Sequence, residues 1–129
     1  MAAYSATDWD AMASFMGDDF VLVDRTNPDP DFVGEYQRDA ALAMLRAFDD
    51  QFGVIELGFD FPTTFESNGV VVFIGHVNSF AAPPGDANAY RWRTEQVTTV
   101  TVRDGKVQRH EDFANYTGAV TTRVTPPDE

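Results

Sequence analysis

The chain has no cysteine. Disulfides, thiolate nucleophiles and cysteine-based zinc sites are therefore excluded. Histidine is nearly as scarce. The two present, His76 and His110, lie far apart with no H-x-H or H-E-x-x-H spacing, so no metal site is expected. Basic residues are few: 9 Lys and Arg stand against 21 Asp and Glu, a net charge of -12. Such a chain repels nucleic-acid phosphates and anionic lipid, so neither is an expected partner. Long apolar runs are missing as well. A run such as Val70-Val71-Val72-Phe73-Ile74 falls far short of the roughly 20 residues that cross a bilayer. No secretory leader, Gly-rich phosphate loop or Ser-His-Asp string is recognised. A cytoplasmic protein without a cofactor is the expectation.

Aromatic residues, by contrast, are plentiful. Eleven Phe, four Tyr and two Trp can line a cavity as well as fill a core. The length, 129 residues, suits one domain, 1–129. Thr7 reads as a helix cap, with Asp10 three residues on. Trp9, Met12, Ala13 and Met16 follow at helical spacing, Gly17 stops the helix, and Asp18-Asp19 turn into a strand, Phe20 to Asp24. Phe32-Val33-Gly34 is a short extended entry to a second helix over about residues 37–52. Its buried stripe is Ala41, Leu45, Phe48 and Phe52, and Gly53 ends it. Strands are predicted near 54–66, 69–80, 90–103 and 106–116, with Asn68-Gly69 and Asp104-Gly105 as tight hairpin turns. The tail from residue 123 is expected to be disordered. Helices packed on one face of a sheet give an α+β domain.

Three strings carry a resemblance: "TDWDAMASFMGDDFVLVD", "DFVGEYQRDAALAMLRAF" and "VTVRDGKVQRHEDFANY". In this order and spacing they resemble the nuclear transport factor 2-like superfamily, on its SnoaL-like polyketide cyclase and ketosteroid isomerase-like branch. The resemblance implies a cone-shaped, curved antiparallel sheet with helices on its concave face, enclosing an apolar pocket (a cystatin-like α+β barrel). It also implies a homodimer through the sheet. The family's long first helix, which carries the oxyanion tyrosine in ketosteroid isomerases, is largely missing, because only Ala2-Ala3-Tyr4 precede the next helix.

Asp24 shares a strand face with Phe20 and Leu22. A carboxylate among apolar groups has a raised pKa and can act as a general base, and Asp24 matches the position of the ketosteroid isomerase base. Equally, Asp24 before Arg-Thr-Asn-Pro is good loop-capping chemistry. In the strand near 106–116, alternation puts Val107, Arg109, Glu111 and Phe113 on one face and Gln108, His110, Asp112 and Ala114 on the other, without choosing the inner one. The resemblance places its pocket acid on Asp112, with Glu111 and Asn115 in place of the pattern's Arg and Asp. Asp112 with His110 would form an acid–base pair. His76 and Asn78 would stand where epoxide hydrolases have Arg and Asp, unless a one-residue shift turns Val77 inward; His76 otherwise is an outer-face residue. Trp92, Thr94, Gln96, Thr98 and Val100 share the expected pocket wall. Thr98 falls about where ketosteroid isomerases hold a protonated Asp, so their oxyanion hole is not reproduced.

The expected catalytic residues are thus Asp24, Asp112 and His110. The expected ligand contacts are Trp92, Phe20, Phe48, Phe73, Thr98 and Val100. Two functions follow. One is a cofactor-free acid–base enzyme of isomerase, cyclase or dehydratase type, acting on a small hydrophobic carbonyl or hydroxyl compound. The other is a non-catalytic ligand-binding or homodimerisation module. Whether Asp24 and Asp112 face common ground separates them.

Overall fold

The computed structural model describes residues 1, 6, 8–30 and 34–124. Helix α1 spans Trp9–Phe15, and Asp8 caps it by accepting the Ala11 N–H at 3.0 Å. The expected cap Thr7, the Ala2-Ala3-Tyr4 segment and the Phe32-Val33 entry lie outside the described residues.

Strand β1 runs from Met16 to Asp24, which corrects the reading of Gly17 as a helix stop and Asp18-Asp19 as a turn. Met16 is already extended, with ψ 134°, and pairs with Val107. A side chain at Gly17 would meet the Gln108 amide at 2.6 Å, so the close approach to the neighbouring strand begins there. A register break between Met16 and Val21 absorbs the residues expected as a turn.

Strand β2, Gly34–Gln37, pairs antiparallel with β1. Helix α2 spans Arg38–Phe52 and ends at Gly53, whose φ of 58° and ψ of 52° are left-handed and favour glycine. Its buried stripe is Ala41, Leu42 and Leu45. These pack with Met12, Met16, Phe20 and Leu22 into the core between the helices and β1.

Strands β3 (Val54–Ser67), β4 (Val70–Ala81), β5 (Ala89–Arg103) and β6 (Lys106–Ala114) form the expected antiparallel meander. Asn68, Gly69, Asp104 and Gly105 all take positive φ, as tight hairpins require. Strand order is β2-β1-β6-β5-β4-β3. The β1–β6 pairing is parallel, so the sheet is mixed rather than purely antiparallel. Strand β7, Val120–Val124, pairs with β5. Arg123 and Val124 are therefore strand rather than tail, their backbone satisfied along the part of β5 that β6 does not reach.

Strand β3 bulges between Asp60 and Thr63, where Pro62 has no N–H to give to a ladder. The bulge folds over Gly75, where a Cβ would sit 1.9 Å from the Asp60 carbonyl oxygen. Bulges bend strands, and this one bends the sheet beside its inner face. No helix among the described residues is long and apolar enough to cross a membrane.

Candidate active site

Register builds the site. Asp24 of β1 pairs with Asp112 of β6, Asp112 with Thr98 of β5, and Thr98 with Phe73 of β4. Directly opposed residues share a face, so these four form one row across the sheet. Neighbouring strands lie about 4.8 Å apart, which brings the two carboxylates side by side. Burial identifies the inner face that alternation left open. His110 and Ala114 are buried, while Glu111 is paired with Arg109 and Arg25.

Asp112 is held firmly. Its Oδ1 accepts the Thr98 hydroxyl at 2.7 Å and the Gln96 amide at 3.1 Å, and lies 2.8 Å from His110 Nε2. Gln96 also donates to Thr98 Oγ1 at 2.8 Å. Thr98 is fully buried, so its hydroxyl has no water to fall back on and the donor geometry is fixed by packing. Arg25 N–H donates to the Asp112 carbonyl at 3.0 Å, locking the end of β1 onto β6.

Asp24 is held at one oxygen only. Oδ2 accepts the Tyr116 hydroxyl at 2.6 Å and the Asn27 amide at 3.0 Å. Oδ1 is buried and makes no hydrogen bond. Burial raises the Asp24 pKa, Tyr116 and Asn27 oppose the rise, and the nearby charge of Asp112 adds to it. The Thr26 N–H exerts the smallest influence and is not in hydrogen-bonding geometry with Oδ1. The Tyr116 phenol is pushed far above its ordinary value, first by burial and then by its bond to Asp24, so it stays a donor. The loop reading of Asp24 also has substance, since Asn27 belongs to the turn that follows the strand.

Tyr116 sits on a 3-10 turn, Tyr116–Gly118, capped by the Asn115 side chain. Its ring lies 6.1 Å from Trp92. Beyond Phe73 the row continues into aromatics, with Phe61 5.4 Å from Phe73 and Phe59 5.5 Å from Phe61. Val100, opposite His110 and Val71, is the apolar neighbour of the polar cluster.

Two expected ligand contacts do not join this group. Phe20 is 1% exposed and belongs to the helix–sheet core, because β1 turns that side chain beneath α2. Phe48 is 49% exposed and packs on Phe52, one helical turn away from the buried stripe. His76 and Asn78 are on the outer face: they oppose Glu95 and Arg93, Asn78 accepts from Arg93 at 2.5 Å, and Val77 is the buried residue. The one-residue alternative is the one observed.

Sequence reasoning missed Tyr116 and Asn27 as partners of Asp24. It placed Gln96 on the inner wall without a role. Two grooves, of about 480 Å³ beside Arg38 and Lys106 and about 380 Å³ beside Phe80 and Arg91, are lined by neither Asp24, Asp112 nor His110. Among the described residues no group of three or more His, Asp or Glu side chains is placed to hold a metal ion.

The sequence and the fold can be set beside known proteins. The family model of the SnoaL-like domain matches residues 1–110, ending before Asp112 and Tyr116. Aklanonic acid methyl ester cyclase DauD from Streptomyces sp. (strain C5) is 24% identical over 117 residues, covering 90% of this chain and 71% of that protein. The crystal structure of a protein described as a SnoaL-like polyketide cyclase, from Shewanella denitrificans OS-217, superposes with a TM-score of 0.76 at 19% identity, covering 90% of this chain and 85% of the other. The Δ5-3-ketosteroid isomerase from Mycobacterium sp. gives 0.68 at 20% identity, covering 94% and 91%. These likenesses bear out the nuclear transport factor 2-like fold with its helices on a large sheet, and the chain belongs to the SnoaL-like domain family.

Proposed function

We propose that the protein is a cofactor-free acid–base enzyme of cyclase or isomerase type, with Asp24 as the group that moves the proton. The observation that carries this reading is Asp24 Oδ1, buried, without a hydrogen-bonding partner and next to a second carboxylate. Ring closure of a polyketide and migration of an enone double bond begin alike. A base removes a proton from the carbon next to a carbonyl, and the electron pair moves onto the carbonyl oxygen as an enolate. A carboxylate whose pKa is raised by desolvation suits that step. Asp24 then returns the proton, to carbon in an isomerisation or to the new alkoxide in a ring closure. Asp112, anchored by Thr98 and Gln96, forms with His110 the second acid–base pair. The aromatic row beyond Thr98 gives a small hydrophobic substrate its binding surface, with Trp92, Phe73 and Val100 at the polar boundary.

The test follows turnover of aklanonic acid methyl ester and of a Δ5-3-ketosteroid by the purified protein. Turnover of either that falls about 10²- to 10⁴-fold in Asp24→Asn supports the reading. Turnover unchanged in that variant overturns Asp24 as the base, and turnover of neither compound leaves the non-catalytic module as the better account.

The partner side of the proposal is a homodimer through the outer sheet face. There Ile74 (40% exposed) and Phe113 (37% exposed) flank Val97 in register. Sedimentation of Phe113→Glu as a monomer, with the parent as a dimer, is the expected outcome.

A further inference from the structure

We infer that Tyr116 is the positioning residue that fixes the orientation of the Asp24 carboxylate so that one oxygen is bonded and the other is left reactive, and that the segment after β6 exists in part to deliver it. The inference rests on the acid–base reading above. An aspartate side chain can rotate, and in a symmetric setting either oxygen could face the substrate. Here both donors, the Tyr116 hydroxyl at 2.6 Å and the Asn27 amide at 3.0 Å, converge on Oδ2. Oδ1 is thereby left as the oxygen with an unused acceptor position. A half-turn merely exchanges the two equivalent oxygens, and any lesser rotation gives up both charge-assisted bonds. The carboxylate is therefore fixed rather than averaged.

The delivery of Tyr116 is itself constructed. Asn115 N–H donates to the Glu95 carbonyl at 2.9 Å, and the Thr94 hydroxyl donates to the Asn115 carbonyl at 2.5 Å. The Asn115 side chain accepts from Gly118 N–H at 3.0 Å and tightens the 3-10 turn. Strand β7 then pairs with Ala89–Arg93 of β5, and the phenol ring lies beside Trp92. Both sides of the turn are thus pinned to β5, with Tyr116 aimed across the end of β6 at β1. Asn115, the turn and β7 lie past the residues that the family model matches, while their partners on β5 lie within them.

The charged groups around Asp24 are few. Asp112 acts on it from β6, with His110 bound to Asp112. Arg25, next along the chain, is turned to Glu111. Removing the Tyr116 hydroxyl while keeping its ring should therefore change Asp24 and little else.

The experiment is a carboxyl-detected NMR titration of Asp24 in the full chain, comparing wild type with Tyr116→Phe and Asn27→Ala, and with the thermal midpoint followed in parallel. Loss of a donor to the ionised form moves the Asp24 titration to higher pH. An upward shift in Tyr116→Phe, with a smaller one in Asn27→Ala, supports the role; the Asn27 variant carries the test if the Tyr116 variant fails to fold. A merely structural role would lower the midpoint without moving the Asp24 titration, and that result overturns the inference while leaving Asp24 as the base. An Asp24 that titrates like an exposed aspartate in the wild type overturns both.

Discussion

A buried carboxylate oxygen without a partner is costly, and Asp24 Oδ1 shares that condition only with Arg38 Nε among the described side-chain atoms. The cost has a pH signature. The folded Asp24 pKa is raised above its ordinary value of 3.8, so the folded state holds that proton more tightly than the unfolded chain. The associated stability is fully present below the unfolded pKa and is lost as pH rises through the folded pKa. Asp24→Asn has no proton to lose. Its urea midpoint relative to wild type should therefore improve on going from about pH 4 to about pH 8; a constant difference would remove the desolvation argument. At this scale the sequence showed Asp24 and Thr98 through alternation, and Asp112 through the family resemblance, since alternation left both faces of its strand open. Tyr116 and Asn27 were invisible to it, because no periodicity connects a residue past the last hairpin with the end of the first strand.

Among the elements, the tight turns were the most legible. Asn-Gly and Asp-Gly specify left-handed backbone wherever they fall, and both hairpins formed there. Gly17 misled for the opposite reason. Its role is close packing against Gln108, which local sequence does not express. Gly75 works the same way and yields a test. Its space is filled by the Asp60 carbonyl, and backbone in a bulge has no cheap way to retreat. Gly75→Ala should cost at least about 2 kcal/mol in urea unfolding. Gly58→Ala, where nothing lies within 4 Å of the added carbon, should stay within about 0.5 kcal/mol. Equal effects at the two positions would mean that the bulge does not close over Gly75. Strand β7 was missed because Val120-Thr121-Thr122-Arg123-Val124 lacks the partner signal that a hairpin turn provides; its partner lies far back in the chain.

The whole molecule combines a modest core with a large negative charge. The fold class was readable from the order of helices and strands. The parallel β1–β6 contact was not, since it joins the two strands most distant in the meander's logic, and that contact is what sets Asp24 beside Asp112. The net charge of -12 repels itself in the compact state. Exposed pairs such as Arg46–Asp10 offset little of this, being worth about 0–1 kcal/mol each. Raising ionic strength from about 0.01 M to about 0.3 M shortens the screening length and should raise the thermal midpoint; a midpoint that falls would show that the ion pairs outweigh the repulsion.

The central claim is that Asp24 takes a proton from carbon, and exchange of solvent deuterium into a ketone measures that step without knowledge of the natural substrate. The probe is α-tetralone in D₂O, with the hydrogens next to its carbonyl followed by NMR. Wild-type protein should speed their exchange, more slowly as pH falls through the Asp24 titration, and Asp24→Asn should lose about 10²-fold or more of the acceleration. Exchange no faster than in buffer, or equal in wild type and Asp24→Asn, would contradict the account.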